Sequence, residues 1–141
     1  MTNPFDLARF VRAQGGGVYE GALAELRAGA KRGHWMWFVF PQLRGLGRSA
    51  TAHLYGISGP EEARAYLAHP LLGPRLGECV AAVMPHAAQR TADAMLGAVD
   101  AAKLRSCLTL FEAAGGGEPF AQALAALFGG ERDPATLVMV R

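Results

Sequence analysis

Isoleucine occurs once in these 141 residues and valine eight times, against 27 alanines and 17 leucines. β-branched residues favour strands and Ala and Leu favour helices, so this shortage argues against a sheet and for an all-α fold. Charge is scarce too, at 18% against 51% hydrophobic. A chain with that much apolar surface can offset the entropy of folding, which excludes intrinsic disorder. The length suits one core, and a single compact domain of about six to eight short helices is expected over residues 1–141. No apolar run approaches the roughly 20 residues that a bilayer requires, and MTNPFDLARF lacks the basic and apolar regions of a signal peptide. A cytoplasmic protein is expected. There are two cysteines, Cys79 and Cys107, both among apolar helix residues and outside any CxxC or Cys/His spacing. They read as reduced core residues, with a disulfide as the alternative.

The net charge of +2 gives no electrostatic footprint for nucleic acid or an acidic membrane. Its distribution is uneven, since residues 1–60 hold seven Lys or Arg and three Asp or Glu. That first part can receive an anionic small molecule, although a solvated basic face is the commoner explanation of such a bias.

Helix signals run along the chain. Asp6 is placed to cap a first helix, and Tyr19, Leu23, Leu26 and Ala30 form the stripe of a second. Arg27, Lys31 and Arg32 gather at its C-terminal end, where cations complement the dipole. Ser58 and Glu61 fit a capping box ahead of Ala63, Tyr66 and Leu67. Leu72, Leu76, Cys79, Val80 and Val83 follow at helical spacing until Pro85. Thr91 suits a cap for a short piece ending at Gly97, and Asp100 one for a helix with Leu104, Cys107, Leu108 and Phe111 inward. On that helix Lys103, Ser106 and Thr109 step along an opposite, polar ridge. Phe120, Leu124, Leu127 and Phe128 mark another helix, and Asp133-Pro134 launches a last one.

The least ordinary stretch is HWMWFVFPQLRGLGRSATAHLY, His34 to Tyr55, which carries both tryptophans. Its apolar residues fit neither period well, and the helical context favours a buried short helix. Phe38, Val39 and Phe40 read as core. His34, Gln42 and Ser49 frame this aromatic block, and a buried polar side chain without a partner costs about 1–3 kcal/mol. They either satisfy one another or face a cavity where a ligand does so. Arg44 to Ser49 offers glycines, two arginines and a hydroxyl for a phosphate, but without P-loop or dinucleotide spacing. Histidines 34, 53, 69 and 86 make no helix-borne zinc pattern, so no metal is expected. There is no GxSxG elbow, and Cys107 on an apolar stripe is a poor nucleophile.

At HWMWFVFPQLRGLGRSA the chain resembles a bacterial family known as DUF1810, sometimes given a calpastatin-like label. FDLARFVRAQ, VYEGALAELRAGAKRG, EARAYLAHPLLGPRL, DAAKLRSCLTLF and FGGERDPATL extend the likeness nearly end to end. The resemblance implies an all-helical single domain and no particular reaction. Calpastatins are extended and largely disordered, which this core-forming composition contradicts, so that label carries no functional information.

Two functions follow as expectations. The first is a binding or processing domain for a small anionic metabolite, nucleotide-like or derived from NAD or ADP-ribose, the latter on fold-level analogy alone. Its aromatic wall would be Trp35, Trp37 and Tyr55, with Gln42, Ser49, Lys103 and Lys31 as polar contacts. If it is an enzyme, His34 would act as general acid or base, its unperturbed pKa near 6.5 suiting neutral pH. The second is a non-catalytic protein-interaction module. Neither requires a cofactor, and the sequence leaves the oligomeric state open.

Overall fold

The computed structural model describes residues 5–140. Among them are ten α-helices, one 3-10 turn and no strand; one isolated parallel bridge joins Leu43 to Ile57. Helix α1 (Ala8–Ala13) is followed by α2 (Val18–Ala28), the four-residue α3 (Met36–Val39) and α4 (Ala50–Leu54). Next come α5 (Pro60–Ala68), α6 (Leu72–Val83), the 3-10 turn Met84–His86 and α7 (Ala92–Leu96). Finally α8 (Ala98–Ala113), α9 (Glu118–Phe128) and α10 (Pro134–Met139) close the order. The count exceeds the expected six to eight because the aromatic segment itself supplies two short helices, α3 and α4.

The organising element is α8, which packs on α5, α7, α9 and α10. Leu104, Cys107, Leu108 and Phe111 are buried as the spacing predicts. The polar ridge does not lie on a solvated side, however: Ser106 and Thr109 are buried as well. Where neighbours cover the helix its hydroxyls turn back on it, Ser106 donating to the Ala102 carbonyl and Thr109 to that of Arg105. Cys79 and Cys107 are buried free thiols in the same core, and burial pushes the Cys79 thiol up to about 12. Among the described residues no helix is long and apolar enough to cross a membrane.

Several caps differ from expectation. The N-cap of α1 is Leu7, without a side-chain bond; Asp6 instead offers its backbone carbonyl to Arg9. Helix α5 starts after Gly59, and the carboxylate that reaches back to the Ser58 N–H is Glu62, at 2.7 Å, not Glu61. Ala30 is exposed, because Gly29 at φ 71° has already ended α2 in the left-handed region. Asp100 lies inside the first turn of α8, whose N-cap is Gly97. Thr91 and Asp133 do cap α7 and α10, each accepting a backbone N–H at 3.0 Å.

Residues 42–57 form a loop closed on itself. The Ile57 N–H donates to the Gln42 carbonyl at 2.9 Å and the Arg44 N–H to the Ile57 carbonyl at 2.8 Å. Arg9 fixes its far end, donating to the carbonyls of Leu54 and Gly56 while pairing with Glu62 at 2.9 Å. Burial would raise the Glu62 carboxyl, but hydrogen bonds from Arg9 and Ser58 outweigh it and hold the pKa below the ordinary range.

Candidate functional site

Three stretches distant in sequence meet around a cleft of about 740 Å³. Trp37, Gln42 and the run Leu46 to Ser49 form one wall. Ala98, Val99, Ala102, Lys103 and Ser106, along one side of α8, form the second, and Asp133 and Ala135 the third. The volume suits a ligand of metabolite size. Small residues on α8 leave the space, and the loop 42–57 brings the polar groups to it.

The loop owes its close packing to Gly47. A Cβ there would fall 2.6 Å from that of Ala52 and 3.5 Å from both Gln42 Nε2 and Trp37 Cζ3. Glycine therefore lets the backbone pass directly against the cleft wall. Ser49 caps α4, accepting the Ala52 N–H at 3.0 Å. Arg44 spends its guanidinium on the carbonyls of His53 and Gly56 within its own loop. Arg48 is exposed at the cleft and makes no ion pair or side-chain hydrogen bond.

Gln42 is the most informative of these residues. It is 8% exposed, and its backbone is pinned by Ile57, yet its side-chain amide has no hydrogen-bond partner in the protein. No buried side-chain polar atom among the described residues is sealed from solvent and unpaired, so the amide opens into the cleft. An amide on so buried a residue, reached from the cleft alone, takes its partners there, from water or from a ligand.

Beside it runs a row of charge and aromatic rings. The chain has two lysines and two tryptophans, and all four belong to this row. Lys31 lies over Trp35 at 5.1 Å from the ring centre and Lys103 over Trp37 at 3.6 Å. Both ammonium groups pair with Asp100, at 2.8 and 3.2 Å. Burial alone would raise the Asp100 carboxyl, but the two lysine hydrogen bonds prevail and hold it below the usual carboxylate range.

A family model described as a protein of unknown function, DUF1810, matches residues 4–140. The chain belongs to this DUF1810 family. It is similar to the crystal structure of the conserved hypothetical protein Rv1873 from Mycobacterium tuberculosis, with 52% identity, a TM-score of 0.94 and 98% of each chain covered. No curated protein matches it.

In this DUF1810 fold Trp37, Gln42, Ser49 and Lys103, four of the expected contacts, line one cleft. The other expected contacts lie elsewhere. Trp35 is buried in the core beside Phe40, its indole N–H donating to Glu25 at 3.1 Å. The same Glu25 oxygen accepts the N–H groups of Arg32 and Gly33, so Trp35 bolts the 32–35 turn to α2. Tyr55 packs against Phe10 and Phe38. Lys31 reaches the cleft only through Asp100. His34 is exposed and is not one of the cleft-lining residues. Asp133 and the small residues of α8 had no site signal in the sequence, since a cap and an alanine-rich helix explain them. Lys31 and Lys103 did have one: in a chain whose other cations are all arginines, two lysines stand out.

Proposed function

We propose that the cleft binds a small anionic metabolite with a planar, nucleotide-like part. The observation that carries this reading is the side-chain amide of Gln42, a residue nine-tenths buried, unpartnered in the fold and open to a cleft that also presents the cations Lys103 and Arg48. Lys103 uses one contact on Asp100 and retains further N–H donors for an anion. The ring of Trp37 is covered on one side by Lys103, so a planar ligand would meet its edge or its other face. Acid–base catalysis by His34 has no support from its position, and binding is the activity proposed.

Titration with NAD, ADP-ribose and nucleoside phosphates, followed by tryptophan fluorescence and melting temperature, tests this directly. Saturable quenching with a rise in melting temperature is the expected result for at least one ligand. Silence across the panel at millimolar concentration overturns the reading.

One observation favours the alternative, a protein-interaction module. Val138 and Met139 stand exposed on α10, whose Ala135 lines the cleft, and Val99 stands exposed on α8. Sedimentation that shows a concentration-dependent complex lost in Val138→Ser would support it.

A further inference from the structure

The binding reading leaves the ligand's neutral part unspecified, and Gln42 narrows it. A primary amide presents a donor and an acceptor side by side in one plane. The group that satisfies both at once has an acceptor beside a donor: an amide, a lactam, or the amino-imine edge of a purine. Water in an open cleft can serve either atom singly, but a flat edge serves both without further ordering. The backbone of Gln42 is held at the Leu43–Ile57 bridge, so the amide is carried on a fixed stem and not on a loose loop. Gly47 packs its backbone beside Nε2 and the Trp37 edge, where a Cβ would fall 3.5 Å from each, and so helps to hold the amide in place.

The charges set the other end. The charged residues that line the cleft are Lys103, Arg48 and Asp133, and Lys31 and Asp100 behind them cancel, leaving one net positive charge. Lys103 and Arg48 are the cations that line it.

We infer that the DUF1810 cleft recognises a singly charged ligand by an amide-type edge, paired in plane with Gln42, and by an anionic group held at Lys103 and Arg48. This rests on the binding reading above. A ligand that covers this amide without pairing with it is rejected, because the amide loses its water without compensation.

The test uses matched ligands: the monophosphates of uridine and adenosine, the N3-methyl and N6,N6-dimethyl forms that block their edges, and the cyclic 2′,3′-phosphates as single anions. Affinity is read from tryptophan quenching, with Trp37→Phe as the signal control. Expected is a loss of about tenfold or more on methylation in the wild type, collapsing to no difference in Gln42→Leu, with the cyclic phosphate at least as tight as the dianion. Gln42→Leu should leave the melting temperature unchanged or raised, since no protein group loses a partner. Methylation without effect, or an effect that persists in Gln42→Leu, overturns the inference while leaving the binding reading intact. A drop in melting temperature assigns Gln42 a structural role and also overturns it. If no ligand binds, both readings fall together.

Discussion

The ammonium of Lys103 stands 3.6 Å from the centre of the Trp37 ring while it is paired with Asp100. Few arrangements hold one cation against both a carboxylate and an indole face, and the arrangement makes Trp37 a reporter of what happens to Lys103.

Replacing Lys103 with Met keeps the stem and removes the charge. Emission from Trp37 should shift, and the fold should lose about 1 kcal/mol from the cation–ring contact, Asp100 keeping Lys31 as its partner. Lys103→Arg should not restore the native spectrum, because a planar guanidinium does not occupy the place of a compact ammonium. Fluorescence against a Trp37→Phe control checks this, and an unchanged spectrum in Lys103→Met would count against the contact.

Gly47→Ala places a methyl 2.6 Å from the Ala52 Cβ. No left-handed backbone is involved, so the effect is purely one of space: α4 must shift or the loop must lift off Trp37. A destabilisation of about 1–3 kcal/mol is expected. Ligand-induced quenching should fall with it, beyond what the unfolded fraction explains. Urea melts and titrations on the same sample separate the two.

Arg9 and Glu62 are both nearly sealed from solvent. Arg9→Ala should cost about 3–5 kcal/mol, because Glu62 is left as an uncompensated buried charge and the loop carbonyls lose their donor. The expected signature is a large drop in the urea midpoint together with looser protection of residues 54–57 in hydrogen exchange. A loss under about 1 kcal/mol would mean that water replaces the guanidinium.

Acid should unfold the protein through its depressed carboxylates. Asp100 and Glu62 both titrate below their ordinary range when folded, so the unfolded chain binds the extra protons. Their contribution is complete above the unfolded values, about 4. It is lost as the pH falls through the lower folded values. Asp100→Asn should therefore be less stable at neutral pH and should lose less on going to pH 3. Denaturation midpoints measured from pH 7 to 3 would show the two curves converging.

Long one-sided helices were legible in the sequence, and the stripe of α6 is buried residue for residue. Helix α8 was only half legible, since a helix covered on several sides carries polar residues inward wherever they can bond to its own backbone. At the site, Gln42, Ser49, Trp37 and Lys103 were legible because polar residues beside scarce aromatics are unusual. Trp35 was not distinguishable from Trp37. Trp35 is the non-helical N-cap of α3 while Trp37 lies inside its first turn, so one enters the core as the other reaches the cleft. Lys103 meets Asp100 one turn away on α8, but the pairing of Lys31 with the same carboxylate is a long-range contact, which no periodicity within a helix encodes.

Because the cleft's walls come from residues 37–49, 98–106 and 133–135, it is assembled late in the life of each molecule. A chain emerging from the ribosome folds from its N-terminal end. It can set the aromatic segment against the early helices, yet it has no complete cleft until Asp133 and Ala135 have docked on α8. The cleft is thus incomplete, and with it the site proposed there, until residues 133–135 are in place.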